Sequence, residues 1–306
     1  RRRVGYLPES TPLDTELRIE EYLRFRGRLA GLSGSTLAPA IDRSLELCGL
    51  TEVRKRLIGA LSKGFRQRVG LGAALAERFL ELGDHVVVCG RSADACRGVE
   101  RRLAGRFPEQ KVGAVRCDVG VYADQEALGR RAVELMGGVD IWVANAGLSM
   151  EGKVNVREAA PEALEAIVRT NLLGPMFSAR AAFGVMAGQP DGGKVFLVDG
   201  TGAWGNATPG NAAYGATKRG LTQFLKTMQS EAQGTGVRVH MCSPGMVVTD
   251  LLVNSNRDNP KVLKFFNILA EKPATVAAWL VPRMRGVQGG GKYFKFLTTW
   301  GVMYRF

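Results

Sequence analysis

The chain reads as an α/β protein: a doubly wound parallel sheet from about residue 70 onward, preceded by a mainly helical, highly charged segment. Three observations predict this. Five short apolar runs recur after residue 70. The stretches between them have helical character, and that βα alternation implies a parallel sheet covered on both faces. Residues 1 to about 69 instead carry apolar residues at helical spacing, over 19–32 and 40–50.

The first helix of the second segment runs from Ala73 to Leu82 and is opened by Gly70-Leu71-Gly72. The strands follow as Val86-Val87-Val88-Cys89, Val112 to Cys117, Ile141 to Ala144, Val195 to Val198 and Val237 to Cys242. Each is short and mostly apolar, and reads as a buried strand. The division is therefore 1–69 and 70–306. The tail Tyr293 to Phe306 interleaves aromatics with Lys and Arg. It reads as an edge strand with a subunit interface, or a contact with a membrane surface; the interface is preferred, since no long amphipathic helix is evident.

The formal charge is +13 over 306 residues, and Arg1-Arg2-Arg3 is a tight basic run at its start, with the other basic residues mostly scattered through helical patterns. A solvated basic surface is expected, not a nucleic-acid patch. With two His and five Cys at no metal-like spacing, no metal site is expected. Cys89, Cys117 and Cys242 lie in or beside apolar strands and read as buried reduced thiols. No run of eighteen apolar residues predicts a spanning helix. No targeting segment is visible in a chain that begins without Met.

Tyr214 and Lys218 are four apart, one helical turn from each other. A neighbouring ammonium lowers the pKa of a phenol, so the pair suits proton transfer to or from an alcohol oxygen. Gly70 and Gly72 at a helix entry let the backbone approach a pyrophosphate. Where an acidic residue would bind the ribose hydroxyl of NAD, strand 86–89 ends at Gly90-Arg91-Ser92, which favours the 2′-phosphate of NADP(H). Asp118, after the next strand, reads as an adenine contact or as a plain turn residue.

These pieces, with Ala144-Asn145-Ala146-Gly147, Asn171 and Ser243-Pro244-Gly245 followed by Thr249, occur in the order and spacing of the short-chain dehydrogenases/reductases. Residues 70–306 resemble that family, which has a Rossmann-like fold. The resemblance implies that Asn145, Ala146 and Gly147 line the cofactor, and that Pro244, Gly245 and Thr249 contact its nicotinamide end. It implies Tyr214 as general acid in reduction of a carbonyl and Lys218 as the group that tunes it and holds the nicotinamide ribose. Asn171 would hold a water linking Lys218 to solvent. The family's Ser, thirteen residues before the Tyr, is here Thr201, which carries the same hydroxyl donor or is a turn residue.

The C-terminal half is most similar to chlorophyll b reductases, in Val198-Asp199-Gly200, 213–219, 243–252, 264–271 and Phe294 to Thr298. That similarity implies NADPH-dependent reduction of the 7-formyl group in a chloroplast. The apolar residues of 251–270 would wall a large flat substrate or pack a helix onto the core. The family is usually oligomeric. The stretches 5–9, 20–23 and 61–68 resemble part of an ABC-transporter ATPase, from Q-loop to signature motif, without its phosphate loop or Walker B strand; alone such a piece cannot hydrolyse ATP. The junction interrupts the family's Thr-Gly-x-x-x-Gly-x-Gly loop: Phe65 and Arg66 stand where its Thr and first Gly should. Either 57–61 substitutes as the first, central strand, with Gly64 as first glycine, or the cofactor site is impaired and the chain is a non-catalytic partner. Another bulky apolar carbonyl compound also remains open as substrate.

Overall fold

The computed structural model describes residues 33–47, 71–150, 153–247 and 270–297, with 20, 21, 23, 24 and 28; the side chains of 43–47 are outside the description. The chain divides into two compact units, Arg1–Arg68 and Val69–Phe306. In the first, a 3-10 turn (Gly34–Thr36) leads into helix α1 (Leu37–Leu47). Leu37 and Ile41, four apart and so on one face, are both buried.

The second unit opens with α2 (Leu71–Glu81), then β1 (Val86–Gly90), α3 (Ala93–Arg106), β2 (Val112–Arg116), α4 (Tyr122–Met136) and β3 (Ile141–Ala144). It continues through α5 (Pro161–Val168), a π-turn (Arg169–Leu173), α6 (Gly174–Met186), β4 (Gly193–Val198), α7 (Ala212–Glu231) and β5 (Val237–Ser243). The short strands β6 (Met246–Val247) and β7 (Ala270–Glu271), α8 (Pro273–Gly286) and β8 (Tyr293–Lys295) complete it. The strand–helix alternation read from the sequence is present, and Tyr293 does begin an edge strand.

Every pairing is parallel: β3-β4-β5-β8 in one sheet, β1-β2 in a second, β6-β7 in a third. Strand β4 shows why the sheet is covered on both faces. Successive side chains point to opposite sides. Val195 and Leu197 join Leu128, Ala182, Leu221 and Met241 under α4, α6 and α7. Phe196 and Val198 join Leu75, Val276, Leu280 and Met284 under α2 and α8. Burial of each such large side chain contributes about 1.5–3 kcal/mol.

Two sequence expectations are corrected here. The helix after the glycine pair starts at Leu71, not Ala73. Strand β1 is not buried on both faces: Val86, Val87 and Val88 are half-buried and Cys89 is exposed, while Cys96, Cys117 and Cys242 are buried free thiols. The physical reason is its neighbourhood. Among the described residues β1 pairs with β2 alone, and no strand joins it to β3. Residues 57–61, offered for that central slot, and Gly64, Phe65 and Arg66 lie outside the described residues.

Candidate active site

The carboxyl ends of β3, β4 and β5 carry the loops Asn145–Gly147, Asp199–Thr201 and Pro244–Gly245. Parallel strands present their ligand crevice at that end. Helix α7 enters there, with Tyr214 and Lys218 in its first two turns. An added Cβ on Gly200 would collide with Tyr214 Oη and lie 3.3 Å from Lys218 Cε. The loop after β4 therefore packs its bare backbone against the phenol, a contact only glycine permits. Thr201, the next residue, is exposed.

Lys218 is 4 % exposed, and its ammonium donates to Val198 O at 3.0 Å. Its Nζ sits 5.6 Å from the centre of the Tyr214 ring. Burial lowers the Lys218 pKa to about 8, against an opposing pull from Asp199 and then Cys242. Burial, and then the charge of Asp199, pushes Tyr214 up to about 12. The expectation that Lys218 lowers the pKa of Tyr214 is thus not met in this geometry. The ammonium is bound to a carbonyl, and desolvation of the phenolate dominates.

Asn171 is completely buried inside the π-turn. Its Oδ1 accepts from Leu148 N and its Nδ2 donates to Leu148 O, both at 2.7 Å; Nδ2 also lies 3.4 Å from Thr217 Oγ1. Thr217 Oγ1 in turn donates to Tyr214 O. Asn171 therefore ties the loop after β3 to the start of α7, and both ends of its amide are engaged with protein groups. The extra residue of a π-turn is what brings this side chain inward, a placement such bulges often serve.

At the other expected subsite, an added Cβ on Gly72 would lie 3.1 Å from Asn145 Nδ2, so the first turn of α2 abuts the loop after β3. Asn145 is half-buried, and Ala146 and Gly147 are exposed. Arg91 is exposed at the end of β1 and has no hydrogen bond or ion pair among the described residues. Ser92 caps α3 by accepting from Ala95 N. Asp118 Oδ1 accepts from Gly120 N at 2.9 Å, a turn contact. Pro244 and Gly245 follow β5, and Gly245 holds φ +72 against Leu297. Gly70 and Thr249 lie outside the described residues, as does 251–269. Among the described residues no cluster of metal-ligating side chains occurs.

Asp199 was not singled out by sequence as a site residue. It is 6 % exposed, and its Oδ2 accepts from Tyr293 Oη at 2.6 Å. Trp204 Nε1 donates to the same Tyr293 oxygen at 3.3 Å. The available signal was an ionisable residue directly after four apolar strand residues, where the sheet ends and a crevice begins.

A parallel α/β fold with half-buried Tyr214 and buried Lys218 at the carboxyl ends of its strands defines an oxidoreductase of the nicotinamide-dependent kind. Residues 67–260 match the short chain dehydrogenase family, and the chain belongs to it. It is 42% identical over 237 residues to chlorophyll(ide) b reductase NOL, chloroplastic, of Oryza sativa subsp. japonica, covering 75% of this chain and 68% of that one. It is 40% identical over 244 residues to the probable chlorophyll(ide) b reductase NYC1, chloroplastic, of Arabidopsis thaliana, of which it spans about half (49%). The fold matches an alcohol dehydrogenase from the archaeon Thermococcus sibiricus complexed with 5-hydroxy-NADP: TM-score 0.63, 21% identity, 74% of this chain and 92% of that one. The family match starts at residue 67 and lends no support to the ABC-ATPase-like reading of the preceding segment.

Proposed function

We propose that the chain reduces the 7-formyl group of chlorophyll b, or of a closely related pigment, to hydroxymethyl with NADPH. The observation that carries this is the Tyr214–Lys218 pair packed on Gly200 at the crevice, in a chain 42% identical to a chlorophyll(ide) b reductase. Tyr214 holds its proton at Oη and gives it to the carbonyl oxygen as negative charge develops there. Lys218 supplies positive charge beneath the ring and contacts the nicotinamide ribose. Thr201 donates a hydrogen bond to the same carbonyl oxygen. Asn171 holds the site together, and any water it orders is reached through groups it already ties.

NADPH, when bound, supplies the hydride. The residues present fit it: Gly72 and the start of α2 for the pyrophosphate, Asn145, Ala146 and Gly147 along its length, and Pro244 and Gly245 near the nicotinamide. The unpaired Arg91 beside the N-terminus of α3 suits a 2′-phosphate, and Asp118 the adenine. Gly70 and Thr249 complete this set. The relatives' names support a chloroplast location. A homo- or hetero-oligomer with a related reductase, touching a membrane surface, fits the basic aromatic tail.

Purified chain incubated with chlorophyll b and NADPH should yield 7-hydroxymethyl chlorophyll a, resolved by chromatography, and far less with NADH. Folded protein giving no product with either cofactor would sink this reading. One observation favours a second reading, a non-catalytic partner of an active reductase: β1 pairs on one side alone among the described residues. Saturable NADPH binding, measured by fluorescence, would count against it.

A further inference from the structure

Among the described residues Asp199 is the one buried carboxylate at the crevice, and the proton-donating chemistry above leaves it without a task. It sits between β4 and the loop that packs on Tyr214. Its backbone N–H donates to Cys242 O, and its Oδ2 takes the short hydrogen bond from Tyr293. Its Oδ1 is fully buried and, among the described residues, has no partner of hydrogen-bond geometry, although the Ser243 hydroxyl stands near. Burial raises the pKa of the carboxyl, and Tyr293, Ser243 and Lys218 oppose that rise. An ionised carboxylate held this way is expensive unless a cation stands near. The groups that face it are Tyr214 and Lys218 from α7, Cys242 and Ser243 from β5, and Tyr293 and Lys295 from β8. Lys218 is the buried cation among them.

Lys218 has the complementary difficulty. It is buried, and its single hydrogen bond among the described residues goes to a neutral carbonyl. Burial lowers the pKa of its ammonium, and the charge of Asp199 opposes that fall. Resting on the reductase reading above, we propose that Asp199 is a positioning residue for the proton-donating pair, a buried anion that keeps Lys218 an ammonium and Tyr214 a phenol. Both protonated forms are those that reduction requires. The anion attracts the ammonium and opposes a second negative charge on the phenol, so its two effects act together. Tyr293, braced by Trp204, fixes the carboxylate. Trp204 is 57 % exposed yet lies tilted against Tyr293, ring centres 5.4 Å apart, which gives an otherwise unfavourable exposed indole a role.

The test has one arm that needs no activity. Urea unfolding at pH 7 is measured for wild type, Asp199→Asn, Lys218→Met and the double variant. Each single variant should lower the midpoint, and the double variant should be at least as stable as the weaker single one, because neither charge is then buried alone. Strictly additive midpoint shifts would overturn the proposal. In the second arm, kcat/KM for chlorophyll b reduction is followed against pH. Asp199→Asn should move the alkaline limb acidward by on the order of one pH unit, since both groups lose their protons more readily. Tyr293→Phe removes the hydrogen bond that favours the ionised carboxylate and should move the limb the same way by less. An unmoved limb in an active Asp199→Asn enzyme would also overturn the proposal. A wild type that reduces nothing, with the unfolding cycle non-additive, would instead fault the reductase reading and leave Asp199's coupling standing.

Discussion

Strands β4 and β1 are nearly alike as sequence and unlike as structure. Val195-Phe196-Leu197-Val198 and Val86-Val87-Val88-Cys89 are both continuous apolar runs. The first lies between β3 and β5 and is wholly buried; the second has one described neighbour and exposes its cysteine. Apolar character states what a strand tolerates, and its neighbours decide what it receives. The same contrast divides the site. The half proposed to donate the proton is cross-tied through Asn171, Thr217, Lys218 and Asp199. The half that would take the adenosine phosphate ends in an arginine with no hydrogen bond or ion pair among the described residues.

The largest expected effect lies in the tied half. Tyr214→Phe should cost two to four orders of magnitude in carbonyl reduction, about what a positioned acid provides, with an unchanged circular dichroism spectrum. A loss under tenfold would remove Tyr214 as the acid.

His240 tests how tightly the same half is packed. It is fully buried, stacks on Phe196 at 5.0 Å, accepts from Lys292 N, and leaves Nε2 without a partner. Burial, then Lys194, Arg238 and Lys292, lowers its pKa from 6.5 to about 4. The unfolded chain therefore takes up this proton first as pH falls. Stability from this residue is present above pH 6.5 and lost on descending toward pH 4, by roughly 3 kcal/mol at the limit. Denaturant titrations should show that loss shrinking in His240→Phe. An identical pH slope in both proteins would mean that the imidazole is hydrated.

In the open half, Arg91→Ala should raise the KM for NADPH about tenfold and barely touch NADH, a loss of about 1.4 kcal/mol. Equal losses for both cofactors would take the 2′-phosphate away from Arg91. The smallest perturbation is chemical. Brief alkylation of the native protein, mapped by mass spectrometry, should label Cys89 well before Cys96, Cys117 or Cys242. A protected Cys89 would mean that β1 is covered in solution, and the contrast between the two strands would collapse.

How much of this the sequence disclosed follows the same division. The strands, the helix carrying Tyr214 and Lys218, and the βα order were legible because hydrophobic period and spacing are local properties. The inward turn of Asn171 was not, since a π-turn leaves no clear periodic mark. The exposure of Cys89 was not, because it depends on what stands beside β1. The direction in which the Tyr214 pKa moves was also hidden. Spacing placed an ammonium near the phenol, but the degree of burial, the carbonyl of Val198 and the carboxylate of Asp199 are supplied by distant parts of the chain.

The account stands most directly on the transfer itself. Chlorophyll b should be reduced by the purified chain with NADPH deuterated at the transferable C4 position, and the product weighed by mass spectrometry. The prediction is one deuterium on the new hydroxymethyl carbon with wild type, and product lost in proportion to activity with Tyr214→Phe. Reduced pigment without deuterium, or equal product from both proteins, would contradict it.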